Sequence, residues 1–293
     1  MRFTDDEVAP RDAATVVLLR DGAEGIEVFM LKRNLNSDFV GGAYVFPGGG
    51  VDPEDRADDL DAVCEGRADA DASTRIGVER GGLAFWVAAI RESFEEAGVL
   101  LAYDRDGDLV DLDGDTGPAA ARWAEHRREV DAGRRRLVEV CEAEHLRLAV
   151  DRMHYFAHWI TPEGPTRRYD TYFFVAAAPP HQTPLHDDRE VIANEWVRPA
   201  DGLARARSGE LTMLPPTVAA LEAIDRFGTV GDVMTVAAGL GPVPTILPRL
   251  VHQRDLTHLL LPGQPGYDGE PIADGVDPAA VTVPVTGFGL LPS

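Results

Sequence analysis

Strand-like and helix-like segments alternate along this chain, which predicts an α/β fold around a mixed sheet. Three observations carry that expectation. TVVLLR (15–20) and EVFMLKR (27–33) flank DGAEG as the arms of an antiparallel hairpin. Residues 83–97 place Val87, Ile90, Phe94 and Ala97 on one face at helical spacing. MHYFAHWITP (153–162), YDTYFFVAAAP (169–179) and VIANEWVRP (191–199) then read as three strands, followed by helical stretches at 199–209 and 216–228.

The elements follow in order. GGAYVFPGGGVDPED (41–55) is a short strand entering a glycine-rich turn. Residues 55–82 are polar and alanine-rich, and read as an inserted surface excursion with at most one short helix. Gly98 suits the C-terminal cap of the 83–97 helix. DRDGDLVDLDGDTG (104–117) has the Asp/Gly spacing of a calcium loop but lacks the glutamate such a loop needs at its twelfth position, so it reads as a solvated loop. Residues 119–146 form two helices broken near Gly133. Beyond 228 a helix (231–240), a strand (257–263) and Pro- and Gly-rich coil remain. The expected organisation is a domain over 11–227, with insertions at 55–82 and 118–147, and an extension over 228–293.

Composition narrows the classes of function. A net charge of −22 in 293 residues argues against nonspecific attraction to nucleic acid or anionic membrane. Lys32 is the only lysine, a bias that fits GC-rich codons better than any function. Cys64 and Cys141 form no CxxC pair, as expected of a reduced protein without a disulfide frame. No stretch approaches the ~20 apolar residues of a membrane span, and the first dozen residues are too acidic for a signal peptide. The expected compartment is the cytoplasm.

RESFEEAG (91–98) concentrates the chemistry. Glu92, Glu95 and Glu96 share a helix face, where like charges repel unless something positive sits among them. Carboxylates one helical turn apart can hold hard divalent cations.

Gly48, Glu54, Arg91, Glu92, Glu95, Glu96, Gly98 and Val99 together resemble the Nudix box, G-x5-E-x7-R-E-U-x-E-E-x-G-U, where U is aliphatic. Thirty-six residues separate Glu54 from Arg91 where seven are usual, and Ser93 stands at an aliphatic position. The resemblance implies a Nudix-type α/β/α sandwich with a mixed sheet, hydrolysing a diphosphate bond with Mg²⁺ or Mn²⁺. It implies Glu92, Glu95 and Glu96 as metal ligands, helped by a carbonyl near Gly49. Arg91 orients a carboxylate, and Glu54 or its rival Glu79 supports Arg91. The general base is left among Glu92, Glu190 and Glu195.

A narrower likeness covers FVGGAYVFPGGGVDPEDRADD, AFWVAAIRESFEEAGVLL and HWITPEGPTRRYDTYFFV. These are similar to the peroxisomal acyl-CoA diphosphatase branch, which also interrupts its box. CoA or acyl-CoA is then the expected substrate, with Arg33, Phe46, Arg167 and Arg168 around it. ADP-ribose, NADH or another nucleoside diphosphate derivative is the alternative, and a non-catalytic binding module is a second. The expected partner is a small-molecule nucleotide diphosphate, not nucleic acid or membrane, with a homodimer as candidate assembly. His154 and His158 read as half-buried sheet residues, Arg134–Arg136 as helix surface and Trp196 as core.

Overall fold

The computed structural model describes residues 4, 7–35, 41–56, 60–114, 116–185, 191–253 and 256–270. The chain opens with β1 (Arg11–Gly22) and β2 (Gly25–Arg33), then β3 (Tyr44–Val45), β4 (Gly48–Gly50) and a 3₁₀ turn at Pro53–Arg56. Helices α1 (Leu60–Val63), α2 (Asp69–Ile76) and α3 (Leu83–Ala97) follow. Next come β5 (Ala102–Tyr103), α4 (Pro118–Asp131), α5 (Leu137–Glu144), β6 (Arg147–Leu148), β7 (Met153–Ile160), β8 (Tyr169–Ala177) and β9 (Val191–Val197). The described chain closes with α6 (Pro199–Arg207), α7 (Pro215–Ile224), α8 (Val230–Ala238), β10 (Thr245–Ile246), β11 (Arg249–Gln253) and β12 (Leu256–Leu260).

The sheet is mixed, in the order β10-β7-β8-β1-β2-β3, with β4 also on β1 and β9 on β2. β1 runs antiparallel to β2 and parallel to β8. Buried on both faces, β1 reads as a continuous apolar run whose alternate residues serve different cores. Val16 and Leu18 pack with α3 and its neighbours, whereas Val17 and Leu19 pack with α7 and α8. The sheet therefore lies between two helical layers, as a Nudix-type sandwich requires. β5 and β6 form a separate two-stranded ribbon.

α3 is the central helix of the first layer, with Leu83 to Arg91 all buried. The Trp86 ring packs tilted against Phe174, 4.4 Å between centroids, and donates its indole N–H to Met153 O at 3.1 Å. Gly98, at φ 67, ends the helix and returns its N–H to Phe94 and Ser93.

The segment over 55–82 departs from the surface excursion expected of it. It forms two helices, and Leu60, Val63, Cys64, Ala72 and Ile76 are buried in the α3 core. Short alanine-rich helices bury little area per residue, so their apolar face is faint in the sequence. The segment also satisfies the orphan donors at the start of α3. Asp69 accepts from Gly81 N and Leu83 N, each at 2.9 Å, and Ser73 Oγ accepts from Gly82 N at 2.9 Å. Arg67 lies over the Trp86 ring.

The part of the extension that is described also joins the main body. Val230, Val233, Ala237 and Ile246 enter the second core, and β10 pairs parallel with β7. The coil expected at the end of the chain lies outside the described residues.

Replacing 57–80 with a short Gly/Ser linker removes those five buried side chains and the acceptors at the α3 N-terminus. Urea denaturation is expected to show an unfolded protein or a transition shifted far down; an unchanged midpoint would return the segment to the surface.

Candidate active site

A cleft of about 570 Å³ opens where β4, the α3 carboxylates, the β7–β8 connection and the β11–β12 hairpin converge. Glu92, Glu95, Glu96, Arg91, Gly49, Arg33 and Phe46 all line it. The helix face read from RESFEEAG thus meets the glycine-rich turn.

Arg91 is the hub. It is 7% exposed, and its Nε donates to both oxygens of Asp55 at 3.0 and 3.2 Å. Nη2 donates to Asp55 Oδ2 at 3.0 Å and to Gly50 O at 2.7 Å. Nη1 reaches Glu92 at 2.9 Å and Glu95 at 3.2 Å. Burial would lower the Arg91 pKa, but Glu92, Asp55 and Glu95 hold it above the ordinary value. Asp55 also accepts from Asp52 N at 2.9 Å, closing the turn on itself.

The acid supporting Arg91 is therefore Asp55, not Glu54 or Glu79. Both glutamates are exposed, while Asp55 is 2% exposed. The reason is register. Counted from Gly49 rather than Gly48, the G-x5 spacing ends on Asp55.

Burial raises the carboxylates. Glu92 is pushed up to about 8, by burial first and then by the Glu95 charge, against the pull of Arg91. Burial also raises Glu95, with Asp131 of α4 among the charges that add to it. Glu96 Oε2 accepts from Gly48 N at 3.1 Å. Gly49 approaches so closely that a Cβ there would lie 2.6 Å from Glu92 Cδ. A side chain there would push the Glu92 carboxylate from its place.

This donor set fits a hard divalent cation. One guanidinium is shared among several buried carboxylates, an excess of negative charge that oxygen-seeking Mg²⁺ or Mn²⁺ would neutralise. Glu92 and Glu95 are turned to Arg91 and Glu96 to the Gly48 amide. Accordingly, among the described residues no three His, Cys, Asp or Glu side chains form a finished ligand group.

Other expected residues fall elsewhere. Arg168 is buried, and it donates to Thr161 O at 3.0 Å and Val8 O at 2.7 Å; its neighbour Arg167 lines the cleft. Successive strand-entry residues point opposite ways, so one arginine is structural and the other faces the cavity. Glu195 follows Val197 in parity onto the second-core face, where Arg205 binds it at 2.7 Å. It does not line the cleft. Glu190 lies outside the described residues. His158 bonds Asp170 and Thr245 and stacks on Tyr172, and neither it nor His154 lines the cleft. Asp131, which does line it, was missed because α4 carries no motif around it.

The profile of the NUDT19 Nudix domain matches residues 78–224, half of the chain. The chain belongs to the Nudix family. It is 29% identical to human acyl-coenzyme A diphosphatase NUDT19 over 282 residues, covering 84% of this chain and 73% of that protein. The chicken protein of the same name is 28% identical, covering 89% and 80%. The crystal structure of a NUDIX hydrolase from Alicyclobacillus acidocaldarius superposes with a TM-score of 0.65 at 27% identity, covering 78% of this chain and 97% of that one. As a Nudix hydrolase the protein acts on a diphosphate bond. Among the described residues no helix is long and apolar enough to cross a membrane.

Asp55→Asn breaks a buried ion pair and is expected to cost about 3 kcal/mol in urea denaturation. Glu54→Gln should stay within about 0.5 kcal/mol of wild type. Equal effects would remove Asp55 from its assigned place.

Proposed function

We propose that the protein hydrolyses the diphosphate of CoA or acyl-CoA with Mg²⁺ or Mn²⁺, giving 3′,5′-ADP and (acyl-)4′-phosphopantetheine. The observation that carries this reading is a cleft with two chemistries. Its acidic end holds Glu92, Glu95 and Glu96, and its walls combine Arg33 and Arg167 with Phe46, Trp159 and Phe173. CoA needs a cation site at the diphosphate, a cationic partner for the remote 3′-phosphate and apolar wall for the arm. The similarity to proteins named acyl-coenzyme A diphosphatase supports the same reading.

Glu92, Glu95 and Glu96, with a β4 carbonyl at Gly49, would hold the cation. A divalent ion bound there supplies charge neutralisation at the phosphoryl oxygens and an acidified water. The residues of the chain do the rest. Arg91, fixed by Asp55 and the Gly50 carbonyl, orients Glu92 and Glu95. Glu92 or Asp131, both of which line the cleft, accepts the proton of the attacking water. The water oxygen bonds one phosphorus as its bridging P–O bond breaks. Arg33 and Arg167 offer forked donors to the 3′-phosphate, while Arg168, the third arginine expected there, is bound to Thr161 O and Val8 O.

Glu96→Gln keeps shape but removes an anionic ligand. Turnover with Mg²⁺ should fall by orders of magnitude while the melting temperature holds; near-normal rates would remove the carboxylate set from the reaction. A substrate panel tests the substrate. CoA and its acyl esters should be cleaved, and dephospho-CoA cleaved less well. Cleavage of ADP-ribose or NADH with CoA left intact would overturn the substrate, and no hydrolysis of any member would favour a binding module.

A further inference from the structure

One wall of the cleft comes from the last described part of the chain. Pro248, Leu250 and Leu259 line it, and all three belong to residues 245–260. β10 anchors this segment by pairing Ile246 with Trp159, itself a lining residue. β11 and β12 then form an antiparallel hairpin in which Leu250 stands opposite Leu259. Directly opposed residues share a face of a hairpin, so the two leucines form one apolar pair turned to the cleft. The flanking pair, Val251 and His258, takes the other face.

The hairpin is held from behind. Arg249 lies over the Tyr267 ring and donates to Tyr267 O at 2.8 Å, and the Tyr267 hydroxyl donates to Leu247 O at 2.8 Å. Leu259 nevertheless remains 37% exposed, one of few large apolar side chains so placed among the described residues. A firmly seated hairpin that presents leucine to a cavity shared with an anion-handling site is matched to a ligand charged at one end and apolar at the other.

We propose that Leu250 and Leu259 form the subsite for the acyl chain of an acyl-CoA, making this hairpin the element that selects acyl esters over free CoA. The inference rests on the CoA reading above. The diphosphate would sit at the cation that Glu92, Glu95 and Glu96 hold, and the pantetheine arm leads the thioester away along Trp159 and Phe173. The acyl chain then covers the exposed Leu259. Each methylene it buries can raise kcat/KM by up to about fourfold, until the chain outgrows the hairpin.

Two variants test this with purified full-length protein and Mg²⁺, using CoA, acetyl-CoA, octanoyl-CoA and palmitoyl-CoA. Wild type should favour octanoyl-CoA over CoA. Leu259→Asp, at a half-exposed position, should lower the octanoyl-CoA to CoA ratio of kcat/KM about tenfold, through KM. Leu259→Trp, which fills the mouth, should move the optimum to shorter chains. A wild type indifferent to chain length, or variants that keep its ratio, would overturn the subsite and leave the CoA reading standing. A wild type that cleaves no CoA derivative would overturn both.

Discussion

A single guanidinium enclosed by carboxylates holds this cleft together. Arg91 binds the turn through Asp55 and Gly50 O, and binds its own helix through Glu92 and Glu95. A buried arginine without partners would be strongly destabilising, so turn and helix are locked to one another by the need to satisfy it. The same bonds set the distance between β4 and α3. At that distance the Gly48 amide meets Glu96 and Gly49 has room for no side chain. The geometry of the acidic end follows from one residue's hydrogen bonds.

Around that lock the molecule separates rigidity from recognition. The acidic end is built on β4 and α3, which pack directly against β1 and the first core. The apolar end is assembled from later elements: β7, β8, the start of α7 and the β11–β12 hairpin. A cleft divided in this way can keep its chemistry fixed while its far wall changes.

Much of this was legible in the sequence wherever the determining pattern was local. The α3 face is a matter of helical spacing, so Glu92, Glu95 and Glu96 were found without any knowledge of the fold. The unbroken apolar run within β1 likewise marks a strand buried on both faces. The failures share a different cause. Asp55 was hidden because three consecutive glycines leave the count of G-x5 ambiguous, and only packing chooses Gly49. Arg167 and Arg168 differ by strand parity, which depends on where β8 begins to pair. The 55–82 segment misled because alanine and cysteine bury well without making a visible apolar stripe. The two-residue strand β10 has meaning only through its distant partner β7.

One pairing described above bears on how the chain is made. β1 is the middle of the sheet, yet its parallel neighbour β8 matches Leu19 to Ala177, far along the chain. The hairpin with β2 can form early, because only a short turn separates the strands. The other edge of β1 must wait until nearly two thirds of the chain has left the ribosome. Until then α3 can pack on that hairpin, on the inserted helices and on α4 and α5, but Phe174, which covers Trp86, is still to come. Long-range parallel pairing of this kind slows folding and leaves strand edges open meanwhile. The segment over 60–76 precedes α3 in the chain and stays packed on it in the finished fold, so part of the apolar face of α3 has its permanent cover at hand before the sheet is complete.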